Sequence, residues 1–201
     1  MKQIKAKIIV VEGPDRVGKF TQALLLKEYI EKKGMFVKLI EVPIRSAVTY
    51  RLIYWMLRSG TAKKYPKIFQ VIQFLNRKIF QMFRLPKLQS FYDVIIFDRW
   101  SLSTVVYGAA TGVSEKFTSI LTKLLKKPDH TLIFLGRSFP HEAEDVYETD
   151  SNLQDNVRML YSQWASNNLE VSTVINCRQE KKKIAKMIQS TLEEKDILPK
   201  I

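Results

Sequence analysis

The chain predicts a three-layer α/β fold: a central parallel sheet of about five strands with helices on both faces. Short apolar runs alternate with amphipathic stretches along all 201 residues. The run Tyr92-Asp93-Val94-Ile95-Ile96-Phe97 is apolar almost throughout, as a strand covered on both faces requires. The first apolar run, Ile8 to Val11, leads into Gly13-Pro14-Asp15-Arg16-Val17-Gly18-Lys19, a glycine-bounded loop placed to open a helix. In such a G-x-x-x-x-G-K loop the glycines let the backbone curl with its N–H groups inward. The helix N-terminus behind them adds a potential that favours anions. Strand, loop and helix in that order specify a P-loop NTPase-type fold.

The remaining elements follow in order. Thr21 to Lys33 places Ala23, Leu24, Leu26, Tyr29 and Ile30 at helical spacing, and Gly34 stops it. Phe36 to Val42 reads as a strand ended by Pro43, and the loop after it carries Arg45. Ala47 to Arg58 and Pro66 to Arg84 read as helices. The second has an apolar face broad enough to predict burial on two sides. After the strand at Tyr92 to Phe97 come helices at Ser101 to Ala110 and Glu115 to Leu125, and a strand at Thr131 to Leu135. Arg137 to Asp150 is a polar loop, Ser151 to Trp164 a helix capped by Asp150 or Ser151, Val171 to Asn176 a strand, and Glu180 to Leu192 the last helix.

Composition narrows the function. At 201 residues the chain is expected to form one domain, 1–201, with a single core. No apolar run approaches the ~18 residues needed to cross a bilayer, and too few residues precede the first strand for a targeting segment, so the expected compartment is the cytoplasm. One cysteine, Cys177, excludes an internal disulfide, and it reads as a buried small apolar residue. His130 and His141 are too few for a histidine-rich metal site. The net charge of +13 favours anionic partners. Zinc-finger spacing and aromatic RNA-binding motifs are missing and the lysines are dispersed, so nucleotides are expected and nucleic acid is not.

The chemistry should lie beyond the carboxyl ends of the strands. There stand Asp15, Arg16, Arg45, Asp98 and Arg99, with Lys19 in the loop. Guanidinium groups suit phosphate because they bond bidentately, and a phosphoryl-transfer site also needs a carboxylate to hold Mg²⁺ or orient the acceptor. Lys19 is expected to be solvated without ligand and to reach the β- and γ-phosphates of a nucleoside triphosphate. The motif expects Ser or Thr after the lysine as a Mg²⁺ ligand, and this chain has Phe20, leaving Thr21, Asp15 or Asp98 to hold the ion through water.

Glu12 to Lys19, Pro43-Ile44-Arg45, Asn76-Arg77, Asp98 to Ser103 with Tyr107, Pro128-Asp129, Tyr147-Glu148, Leu153-Gln154 and Tyr161 together resemble the thymidylate kinase family in order and spacing. The resemblance implies a nucleoside monophosphate kinase that transfers the γ-phosphoryl of ATP to a pyrimidine deoxynucleotide, dTMP to dTDP, with Mg²⁺, as a homodimer. It implies ATP binding by Gly13, Asp15, Arg16, Val17, Gly18, Lys19, Phe20 and Thr21, with Lys19, Arg16, Asp98 and Arg99 catalytic and Asp98 and Thr21 at the metal. It implies acceptor binding by Asp15, Arg45, Gln73, Phe74, Arg77, Arg99, Ser103, Tyr107 and Gly108. Residues 137–150 would form a lid. Since Ser138 to Asp150 holds no arginine or lysine, Arg16 implies the subclass whose catalytic arginine lies in the phosphate loop.

The departures are Phe20, Gly136 in place of an aspartate, Gln73 where a phenylalanine stacks on the base, and Gly108 where Gln or Thr is usual. They leave open a preference for dUMP, dCMP or a wider set. They also leave open a catalytically weak homologue that binds nucleotides or nucleic acid.

Overall fold

The computed structural model describes residues 6–136 and 145–199. Among these, strands β1 (Lys7–Glu12), β2 (Val37–Glu41), β3 (Val94–Asp98), β4 (His130–Leu135) and β5 (Ser172–Asn176) form one parallel sheet in the order β2-β3-β1-β4-β5. The helices are α1 (Lys19–Lys32), α2 (Tyr50–Arg58), α3 (Thr61–Lys64), α4 (Pro66–Phe83), α5 (Leu85–Phe91), α6 (Ser101–Ala110), α7 (Glu115–Lys123), α8 (Ser151–Ser166) and α9 (Lys181–Glu194).

Alternate side chains of β1 and β3 enter opposite layers, which is why Ile8 to Val11 and Val94 to Phe97 are apolar without a break. Ile9, Val11 and Ile96 pack with Ala23, Leu26 and Ile30 of α1 and Ile184 and Ile188 of α9. Ile8, Val10, Ile95 and Phe97 face the other way, onto Phe74 and Phe80 of α4 and Leu85 of α5. Val157 and Tyr161 of α8 close that layer beside Ile133.

Two short helices escape the periodicity argument. α3 has four residues, too few to show a period. α5 is separate because Pro86 lacks the N–H that would extend α4, yet fits a first helical turn. α2 starts at Tyr50 rather than Ala47, and the cap of α8 is Asp150, whose carboxylate accepts from Leu153 N at 3.0 Å. The broad face of α4 is not buried on both sides. Phe74 and Phe80 are buried, while Ile68, Leu75, Ile79, Met82 and Phe83 are exposed. His141 and the 137–144 part of the lid expected over 137–150 lie outside the described residues. No helix among the described residues is long and apolar enough to cross a membrane.

Candidate active site

The loop between β1 and α1 needs its glycines. Gly13 has φ +143°, and a Cβ there would stand 2.4 Å from the Phe134 carbonyl oxygen of β4. Gly18 caps α1 at φ 83°. Val17 is buried beneath the loop, and Arg16 itself takes a left-handed φ of 62°. Lys19 is not solvated as expected: it is 6% exposed and donates to the Pro14 carbonyl at 2.5 Å, inside its own loop. Burial, with Arg99 adding to it, lowers its pKa to about 8.

Lys19, Phe20, Thr21, Glu41, Asp98 and Arg99 help to wall a cleft of about 330 Å³. Asp98 Oδ1 is buried with no hydrogen-bond partner, and burial raises the pKa of the carboxyl despite the cations nearby. An orphaned carboxylate oxygen in a cleft with Glu41 and the Thr21 residue fits Mg²⁺, which takes one or two carboxylates and completes its shell with water and phosphate. Phe20, 41% exposed, lies on the wall of the same cleft.

A second cleft, of about 200 Å³, adjoins the first, and Asp15 and Arg99 line both. Asp15 pairs with Arg99 and accepts from Tyr107 Oη at 2.6 Å and Gln154 Nε2 at 2.8 Å. Burial opposes its charge, but Arg99, Lys19 and these donors hold its pKa below the usual carboxylate value. Arg99, at φ 69°, also donates to the Gly13 carbonyl at 3.1 Å, fastening the end of β3 to the phosphate loop. Arg16 Nη2 reaches Glu148 at 2.8 Å, and Tyr147 stacks on Tyr107 at 5.9 Å between centroids. Gln73 accepts from Arg77 Nη1 at 2.9 Å, and burial lowers the Arg77 pKa to about 10.

Beneath the junction, fully buried Glu12 accepts from Trp100 N at 2.8 Å, Ser103 N at 3.2 Å, Ser103 Oγ at 2.5 Å and Tyr161 Oη at 2.8 Å. A carboxylate bonded to the first N–H groups of α6 holds that helix at the end of β1.

The structure thus gathers Asp15, Arg16, Gly18, Lys19, Phe20, Thr21, Asp98 and Arg99 around the first cleft, and Gln73, Arg77, Ser103 and Tyr107 around the second. Three expected acceptor residues stand elsewhere. Phe74 is buried against the sheet, because one step along α4 turns it about 100° from Gln73. Gly108 turns toward α7, and a Cβ on it would stand 2.6 Å from Thr118 Cγ2. Arg45 is turned outward, its side chain 72% exposed and paired with Glu41 at 3.2 Å. The cause is its neighbour: Ile44 is buried and its N–H donates to Asn76 Oδ1 at 2.7 Å.

Sequence reasoning finds no role for Glu12, Glu148 or Gln154, which the structure places at the junction of the two clefts. Glu12 carried a legible signal, a charge closing a strand otherwise buried throughout. The partnership of Glu148 with Arg16, 132 residues away, carried none. Cys177 is buried as expected, and His130 is buried with Nε2 at 2.9 Å from Thr173 Oγ1. No group of three or more His, Cys, Asp or Glu side chains placed to share a metal ion occurs among the described residues.

The thymidylate kinase family model matches residues 11–188. Two relatives are named as thymidylate kinases. Protein 251L of Invertebrate iridescent virus 6 is 24% identical over 96% of this chain and 90% of its own. A protein of Saccharolobus solfataricus is 31% identical over 63% of this chain and 64% of its own. The solved thymidylate kinase of Candida albicans shares the fold, with a TM-score of 0.78 at 20% identity, covering 96% of this chain and 93% of that one. The chain belongs to the thymidylate kinase family of nucleoside monophosphate kinases, phosphotransferases whose co-substrate is ATP.

Proposed function

We propose that this kinase transfers the γ-phosphoryl group of ATP to a pyrimidine deoxynucleoside monophosphate, with dTMP to dTDP as its main reaction. The observation that carries this reading is the shared wall: Asp15 and Arg99 border both clefts, so a phosphoryl group crossing from one to the other passes them.

ATP takes the first cleft. Its phosphates displace the Pro14 carbonyl from Lys19 and bind the loop N–H groups. Asp98 and Thr21, with Glu41 nearby, would hold Mg²⁺, which supplies neutralising charge to the phosphate oxygens when bound. The acceptor takes the second cleft, its phosphate toward Arg99, its sugar between Asp15 and Tyr107, and its base toward Gln73 and Arg77. Arg16 is the catalytic arginine of the loop subclass, and leaves Glu148 to meet charge as it builds on the moving group. The chain acts as one domain, 1–201, with residues 137–150 as its lid. It pairs as a homodimer through the exposed apolar stripe Ile68, Leu75, Ile79 and Met82 of α4.

The test is ADP formation from ATP and Mg²⁺ with a panel of nucleoside monophosphates, run beside Lys19→Ala. Lysine-dependent turnover with dTMP preferred supports the reading. Arg16→Ala should lower kcat by about 100-fold and change KM little; a rise in the KM for ATP alone would make Arg16 a binding residue. Phe20 on the cleft wall favours a second reading, a nucleotide-binding homologue without catalysis, which nucleotide binding with no turnover on any acceptor would support.

A further inference from the structure

Three side chains that line the acceptor cleft each leave a buried polar atom without a hydrogen-bond partner: Gln70 Nε2, Arg77 Nε and Thr104 Oγ1. Gln70 and Thr104 are each 1% exposed and Arg77 is 3% exposed. Buried polar groups in native proteins are nearly always satisfied, and an orphan forfeits its hydration for nothing in return. Three orphans around one cleft therefore point to a ligand that supplies the missing partners.

Gln70 is the unexpected member. It precedes Gln73 by one turn and Arg77 by two, so all three line one stripe of α4. Its stem lies beside Gly108, where a Cβ would stand 3.6 Å from Gln70 Cγ and 2.6 Å from Thr118 Cγ2. A side chain at Gly108 would meet Gln70 at ordinary van der Waals distance and would crowd only Thr118. Gln73 Oε1 already accepts from Arg77 Nη1, and the Gln73 amide NH₂ adds donors beside it. The α4 stripe then offers donors from Gln70, Gln73 and Arg77, while the Thr104 hydroxyl can donate or accept.

Resting on the kinase reading above, we infer that Gln70 is a specificity-determining residue that donates a hydrogen bond to a keto oxygen of the acceptor's base. A donor-rich wall matches thymine or uracil, whose two keto oxygens accept and whose ring N–H can donate to Thr104. It opposes cytosine, whose exocyclic amine would bring a further donor to the same wall. The amide near Gly108 thereby comes from α4, across the helix interface, rather than from α6.

Two variants test this by melting temperature, calorimetric titration of dTMP, and kinetics with dTMP, dUMP and dCMP. Gln70→Met keeps the length and removes the orphan, so the free protein should melt about 2–4 °C higher. Acceptor kcat/KM and dTMP affinity should fall about 10- to 100-fold, with the KM for ATP unchanged. Gln70→Glu replaces a donor by an acceptor and should lower the dTMP to dCMP ratio of kcat/KM at least about tenfold, a change that a packing defect, acting on all acceptors alike, would not produce. The inference is overturned if wild type phosphorylates dTMP while Gln70→Met stays within about twofold of it and Gln70→Glu leaves the ratio alone. If wild type turns over no acceptor, the kinase reading fails separately. Calorimetry then decides for Gln70, since equal dTMP affinity in wild type and Gln70→Met would overturn it too.

Discussion

The two clefts are neighbours that share Asp15 and Arg99, yet they are built on different principles. The first is largely one continuous stretch, Asp15 to Thr21, closed by the ends of β2 and β3. Its geometry is local: the glycines at 13 and 18 set the loop, α1 begins at Lys19, and the lysine bonds a carbonyl of the same loop. The second is assembled from α2, α4, α6 and the segment before α8, and its character depends on how each helix is rotated. A loop motif survives small errors of register. On a helix, one residue's shift turns a side chain by about 100°. The comparison teaches that the first cleft of this enzyme is written in the chain's local order, and the second in its packing.

The largest expected effect tests the local cleft. Lys19→Ala should cost about 10²–10³-fold in kcat/KM, since it removes the loop's principal phosphate cation. Because the lysine is buried with a lowered pKa, the variant should melt no lower than wild type. A marked drop in melting temperature would show that the Lys19–Pro14 bond holds the loop together.

Next comes a pair of neighbours on α4. Phe74→Ala should destabilise the protein by about 3–5 kcal/mol through a cavity against the sheet, without altering the preference among acceptors. Gln73→Ala, which takes one side-chain partner from buried Arg77, should destabilise by about 1–3 kcal/mol, less than Phe74→Ala, and lower acceptor kcat/KM about tenfold. Urea unfolding and acceptor kinetics on both variants check this, and an exchange of the two phenotypes would mean that α4 is rotated from the position described here.

Phe20→Ser restores a hydroxyl on the donor cleft. It should tighten the apparent Mg²⁺ requirement by about tenfold or less, measured as kcat against free Mg²⁺. No change would mean that Asp98 and the phosphates already hold the ion fully.

The smallest effect is on pH. Lys19 carries its charge below about 8 in the free enzyme. Above that pH the cation is lost, so kcat/KM for ATP should fall by several-fold between pH 8 and 9.5. Bound phosphate favours the charged lysine, so kcat should bend only at higher pH. A flat kcat/KM profile would show that Lys19 stays charged despite its burial.

The residues expected at the second cleft also show where reading by sequence stopped. Arg45 sits near its expected strand end, but the burial of Ile44 and its bond to Asn76 turn it to solvent. In the sequence Gly108 stands out for the side chain it lacks, while the structure shows the close approach to Thr118 that a side chain would block.

By itself the sequence determined the parallel α/β fold, the phosphate loop, and the gathering of Asp15, Arg16, Lys19, Asp98 and Arg99, because strand periodicity and a contiguous turn are encoded over a few residues. Only the tertiary structure decided that Glu12 organises α6, that Glu148 meets Arg16, and that Gln70 rather than Phe74 or Gly108 lines the second cleft. Those relations join residues far apart in the chain, or turn on the phase of a packed helix, and both are settled only when the layers close on one another.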